Sequence, residues 1–425
     1  MKSEIQSELD SDYTGHLVDL LKEREYTLTA GDVTIRLAKE FGFCYGVERA
    51  VEYAYQARKK FPDRTIYLAG EIIHNPHVNS KLQAMGIRFL MPGGGEVGGG
   101  KREGVGNDGK DGHESDASIP LPASRFPPPA ARLDFSGVRP EDVVILPAFG
   151  VTITDFELLR GIGCVMVDTT CGSVLNVWKR VESYARDGFT SLIHGKYYHE
   201  ETRATASQAE KYPGGHYFIV RNLEEAQLVG DFIEGRLSAS ALMERFAHAA
   251  SPKFDPARDL RRIGVANQTT MLARESLAVG ELIGKSMARA HGEEYAKSNF
   301  RTFDTICSAT QERQDAVVEL LREPLDVMVV IGGYNSSNTM SLAALCSETV
   351  RTFHVEDAED IDPDSGTIRH RPLGAKAETE ESEWLPAARA LRVGVTAGAS
   401  TPNNKIGEAV GRIFATRGID PKTIR

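Results

Sequence analysis

Cysteine and tryptophan are scarce, with five of the first and two of the second in 425 residues. The cysteines are odd in number, widely separated and never in a Cys-x-x-Cys pair. That excludes a disulfide framework and points to a reducing compartment, with the cytoplasm as the expected location. Excess positive charge is also missing. Lys and Arg total 50 against 60 Asp and Glu, a formal net charge of −10, and no long basic block interrupts the balance. Nucleic acid is therefore not an expected partner. No run reaches the roughly eighteen apolar residues that a membrane helix requires. The opening Met1-Lys2-Ser3-Glu4 has no apolar stretch behind it, so no secretory signal is expected. Glycine runs do occur, but no strand precedes them and no Gly-Lys-Ser/Thr closes them, so they are not a phosphate loop.

What remains is an ordinary globular composition, 41% hydrophobic and 26% charged, in a chain long enough for two or three domains. The most informative stretch is Asp168-Thr169-Thr170-Cys171-Gly172-Ser173, between the apolar run 164–167 and the amphipathic run 174–184. This reads as strand, turn and helix start. Open α/β sheets bind ligands at such turns, and a helix start offers free N–H groups to an anion and favours a thiolate.

The same unit recurs from residue 140 onward. Apolar strands at 143–146, 164–167, 190–193, 263–266, 327–331 and 391–395 each end in a polar signature followed by a helical pattern. Strands alternating with helices imply parallel βαβ units, with the signatures on one edge. Earlier in the chain, 13–22 reads as a weak helix, 33–37 as a strand, 47–57 as a clear helix, 65–68 as a strand and 78–85 as a helix. Residues 93–131 are Gly-rich and then Pro-rich, and are expected to form a disordered insertion within a domain. Cys44, Cys171 and Cys307 fall at similar intervals. The expected organisation is an N-terminal extension (1–30) and three similar α/β modules, 31–171, 172–306 and 307–425, with 31–44 packing on the third.

Cys44, Cys171 and Cys307 lie in Gly-, Thr- and Ser-rich turns, whereas Cys164 and Cys346 lie in apolar runs and read as core. Three lone thiols are a weak metal signal by spacing alone, and core thiols are the bland alternative. Their context suits an iron–sulfur cluster with one iron left without a protein ligand, with a zinc carrying a water as the competing reading. Turns such as Asn267-Gln268-Thr269-Thr270 and Ser336-Ser337-Asn338 read singly as helix caps. Together with His74, His199 and Ser400 they describe a donor-lined pocket for a small phosphorylated ligand. Of Glu200 and Glu201, one is expected to face water and the other to handle protons, if burial raises its pKa.

In order, FGFCYGVERAV, EIIHNP, DTTC, HGKYYHEET, NQTT, ICSATQERQ, YNSSN and GVTAGAST closely resemble the LytB (IspH) family of 4-hydroxy-3-methylbut-2-enyl diphosphate reductases, from about residue 31 to 420. PAFG and HGKYYHEET look like its cyanobacterial and plant branch. The resemblance implies small, mostly parallel sheets in three modules, pseudo-threefold around a central [4Fe–4S] cluster on Cys44, Cys171 and Cys307. It implies reductive dehydroxylation of the allylic diphosphate to isopentenyl and dimethylallyl diphosphate, the last step of the non-mevalonate pathway. The substrate hydroxyl would meet the open iron, and ferredoxin or flavodoxin would supply electrons. Glu201 matches the family's proton-relay glutamate and Thr269 its partner near the hydroxyl. His74, His199, Ser336, Ser337, Asn338 and Ser400 match the diphosphate pocket. One position departs: Phe149 stands where many members have a histidine, and His77 or Lys196 could supply the missing donor. A non-catalytic iron–sulfur sensor and a zinc hydrolase are the alternatives from other classes.

Overall fold

In a computed structural model the protein is described over residues 2–90, 132–386 and 390–424. The insertion expected at 93–131 lies outside the described residues. Three sheets of mostly parallel strands carry the fold. The first has the order Ile87–Leu90, Ile66–Ala69, Val143–Leu146, Val165–Asp168. The second runs Phe300–Thr302, Ile263–Asn267, Thr190–His194, Tyr217–Val220. The third runs Thr27–Ala30, Val33–Leu37, Leu391–Ala397, Val327–Ile331, Thr352–Val355, and only its first pair is antiparallel.

The central strands are buried along their whole length, as in Val143–Leu146, Thr190–His194, Ile263–Asn267 and Val327–Ile331. Continuous apolar runs rather than alternating ones are what a parallel sheet covered on both faces requires. The polar signatures therefore do not share one sheet edge, as the strand pattern alone suggested. They are divided among the carboxyl edges of three sheets, because the helices Tyr45–Lys60, Gly172–Arg186 and Ser308–Leu320 each carry the chain from one sheet to the next.

The first thirty residues are built into two cores. Ile5 and Tyr13 of the helix Lys2–Tyr13 pack with Val47, Val51 and Tyr55 in the core of the first sheet. Val18, Leu20 and Leu21 of the helix His16–Glu23 pack with Ile406, Val410 and Phe414 in the core of the third. A further sheet, unexpected from the sequence, pairs Ile361–Asp362, Thr367–His370 and Thr379–Ser382 in antiparallel order beside the third. No helix among the described residues is long and apolar enough to cross a membrane.

Candidate active site at the junction of three sheets

Cys44, Cys171 and Cys307 hold the same local position. Each is the N-cap of a helix, Tyr45–Lys60, Gly172–Arg186 and Ser308–Leu320 respectively, and none caps its helix through its side chain. Each backbone N–H is tied to the end of a neighbouring segment, Cys44 to the Ala399 carbonyl at 3.2 Å, Cys171 to Ala148 at 2.8 Å and Cys307 to Thr269 at 3.4 Å. The thiols gather where these helix starts meet. A methyl group on Gly46 would lie 2.7 Å from Cys171 Sγ and 3.9 Å from Cys44 Sγ, so the approach of the two sulfurs depends on a residue without Cβ. Cys307 is close enough to Cys44 to feel its charge. Burial pushes the thiols of Cys44 and Cys307 up, the latter to about 11, because the partial charge of a helix start does not offset the loss of solvent. A bound metal reverses that balance and deprotonates a coordinating thiol. Cys164 and Cys346 are buried in apolar clusters away from this junction, as their runs suggested.

A polar chain links the cysteines. Cys307 Sγ lies 3.0 Å from Thr310 Oγ1, which Asn338 Nδ2 also approaches at 3.4 Å. Asn338 Oδ1 accepts the Ala399 N–H at 2.9 Å, and Ala399 in turn holds Cys44. Ser400 Oγ donates to the His74 carbonyl at 3.2 Å. Ser336 caps the helix Ser337–Ser347 through Thr339 N–H, while the Ser337 hydroxyl has no partner among the described residues. Ser336, Ser337, Asn338 and Ser400 are all buried.

Adjacent glutamates part company at the next helix, Glu200–Ser207. His199 caps it by accepting the Glu201 N–H on Nδ1 at 3.1 Å, which turns Glu201 inward and leaves Glu200 half exposed. Glu201 is 3% exposed, and its Oε1 accepts the Thr269 N–H at 2.6 Å. Burial raises its pKa, against the opposing pull of the Thr269 backbone and hydroxyl, so the group is suited to hold a proton. Cys307 feels its charge, so Glu201 borders the sulfur junction.

His74 donates Nδ1–H to Glu71 at 2.8 Å and faces Glu200 at 3.5 Å through Nε2. Burial opposes charging it, but Glu200 and Glu71 outweigh burial and raise it to about 9. Burial and the neighbouring His74 lower His199 to about 3, so it is neutral, with its one proton on Nε2. His74, His199 and Glu200 are the only group of three such residues, among those described, whose donor atoms all lie within 4.8 Å. Both imidazoles nonetheless present N–H rather than a lone pair, which suits an anion and not a metal ion. They line a cavity of about 990 Å³ shared with Phe149, Lys196, Tyr334 and Arg371. Phe149 stacks on His74, with centroids 4.9 Å apart and an angle of 15°.

The LytB protein family model matches residues 35–414. The 4-hydroxy-3-methylbut-2-enyl diphosphate reductase of Thermosynechococcus vestitus is 44% identical over 98% of this chain and 93% of its own. That of Gloeobacter violaceus is 44% identical over 99% of this chain and 91% of its own. The chain belongs to the LytB family. The solved E-1-hydroxy-2-methyl-but-2-enyl-4-diphosphate reductase of Plasmodium falciparum shares the fold, with a TM-score of 0.58 at 20% identity over 89% of this chain and 87% of that one.

The junction suits the cofactor that LytB resemblance implies. The three sulfurs do not all lie within 4.8 Å of one another, whereas thiolates on one zinc sit about 3.8 Å apart, from Zn–S distances of about 2.3 Å. A donor set of three spread thiols, with Gly46 clearing the space beside them, fits a cluster better than one ion. In this LytB chain His77 does not reach the cavity. It lies in the helix Pro76–Ala84, edge-on to Tyr13 with centroids 6.3 Å apart. Lys196 does reach it. Sequence reasoning passed over Arg313, which is 3% exposed and donates to the carbonyls of Gly42, Phe43 and Ala309 at 2.7, 3.1 and 2.8 Å. It clamps the Cys44 loop to the helix that starts at Cys307.

Proposed function

We propose that this protein is a 4-hydroxy-3-methylbut-2-enyl diphosphate reductase that holds a [4Fe–4S] cluster on Cys44, Cys171 and Cys307. The reaction replaces the allylic hydroxyl by hydrogen, consuming two electrons and two protons and releasing water, to give isopentenyl and dimethylallyl diphosphate. The observation that carries this reading is the meeting of three cysteines, each at a helix start, with one buried, protonatable carboxyl, Glu201. When bound, the cluster supplies the electrons and a Lewis-acidic iron to the carbon–oxygen bond.

The chain's own residues bind, orient and protonate. His74 carries a charge and His199 a neutral N–H, and both line the cavity, so the diphosphate meets donors of both kinds. Ser336, Ser337 and Asn338 add short hydroxyl and amide groups at the start of Ser337–Ser347, where backbone N–H groups favour an anion, and Ser400 adds a hydroxyl held to the His74 carbonyl. Glu201 Oε holds the proton that leaves with the hydroxyl, and Thr269 fixes that carboxyl through its N–H and hydroxyl. Burial of Glu201 and Thr269 keeps bulk water from short-circuiting the transfer. Ferredoxin or flavodoxin is the expected electron donor.

Glu201→Gln tests the assignment. The variant keeps its iron content and substrate affinity while turnover falls by about 10²–10⁴-fold, the usual reach of a positioned general acid. Full turnover in Glu201→Gln would remove this residue from the mechanism.

A further inference from the structure

Lys196 leaves the strand Thr190–His194 and enters the cavity lined by His74, His199 and Phe149. Its ammonium has one polar contact, the Met340 thioether at 3.3 Å, which is a weak acceptor. No carboxylate among the described residues lies within 4.0 Å of it. Its charged neighbour is instead another cation, Arg371, whose guanidinium is stacked 4.1 Å over Tyr334 and lines the same cavity. Two unpaired cations on one wall are costly unless an anion joins them, since enclosed charges are normally paired. Burial, followed by the charge of Arg371, lowers the Lys196 pKa to about 8. Met340 lies within the first turn of Ser337–Ser347, so the ammonium stands against the N-terminal turn of that helix. Phe149, stacked on His74, contributes a flat apolar face and no donor.

We propose that Lys196, supported by Arg371, is a direct ligand of the substrate's diphosphate and supplies the donor that Phe149 cannot. This rests on the reductase reading above. The diphosphate lies between the imidazole pair and the Lys196–Arg371 wall, and Phe149 packs beside its allylic chain.

The test uses cluster-loaded enzyme and two probes, inorganic diphosphate by calorimetry and the allylic diphosphate by steady-state kinetics. In Lys196→Met the Kd for inorganic diphosphate and the KM for substrate both rise about tenfold to a hundredfold, the usual loss for a hydrogen bond to a charged group. KM changes more than kcat. Lys196→Arg retains most of the affinity, and adding Phe149→His to Lys196→Met recovers part of it. Unchanged Kd and KM in Lys196→Met would overturn the proposal, as would a weaker Kd for the inorganic probe with an unchanged KM. If the unsubstituted enzyme binds diphosphate but reduces nothing, the reductase reading fails. The calorimetric comparison would still decide whether Lys196 binds the anion.

Discussion

Glu200 and Glu201 are neighbours in sequence, yet their surroundings drive them in opposite directions. Burial alone would raise both. For Glu200 the ion pair with His74 outweighs burial and lowers it to about 2, whereas Glu201 has no cation in direct contact and stays raised. The split was legible only as an alternative, because nothing in HEET fixes the phase of the helix. The phase is set by His199 acting as the N-cap, a role more often filled by Ser, Thr, Asp or Asn. The His74–Glu200 pair predicts a stability profile. His74 is raised from 6.5 to about 9, so its contribution is complete below about pH 6.5 and is lost as pH rises through 9. Glu200 is depressed from 4.5 to about 2, so its contribution is complete above 4.5 and is lost as pH falls through 2. The difference in urea midpoint between the native protein and His74→Gln is therefore greatest between pH 4.5 and 6.5 and shrinks toward pH 9. A difference that grows above pH 7 would contradict this ordering.

At the scale of elements, the site is an assembly of helix starts. The positions of Cys44, Cys171 and Cys307 at turns were readable because each lies among Gly, Thr or Ser residues rather than in an apolar run. What the sequence could not convey was how those starts are held together, since each tie runs to a segment outside the local pattern, in the case of Cys44 to Ala399. Arg313 is the clearest case, spanning some 270 residues to the Cys44 loop. Replacing it by leucine leaves several buried carbonyls unpaired, each costing about 1–3 kcal/mol. Arg313→Leu is expected to lower the urea midpoint and to lose iron from a reconstituted protein faster than the parent. Equal stability and equal iron retention would show that the clamp is dispensable. The antiparallel sheet around Thr367–His370 escaped notice for a different reason. Its strands are two to four residues long and mostly polar, too short for periodicity to register.

Across the whole molecule, alternation of apolar strands and helices announced an α/β protein with parallel sheets, and Val143–Leu146 and Val327–Ile331 have the expected bounds. The partition of those strands into three sheets was not legible in the strand pattern itself. Val/Ile-rich strands are nearly interchangeable, so pairing is decided by crossovers and by long-range partners such as Val33–Leu37, which joins Leu391–Ala397 across the length of the chain. That pairing ties the beginning of the chain to its end. It also brings Gly42 and Cys44 beside Ala397 and Ala399. The central claim, that this convergence holds a cluster with one iron open to substrate, is tested most directly by Mössbauer spectroscopy. Anaerobically reconstituted protein would be titrated with 4-hydroxy-3-methylbut-2-enyl diphosphate, with consumption of reduced viologen followed in parallel. The account predicts that one iron of a four-iron cluster changes environment on binding and that reductant is consumed. A four-iron cluster that substrate neither perturbs nor draws electrons from would contradict it.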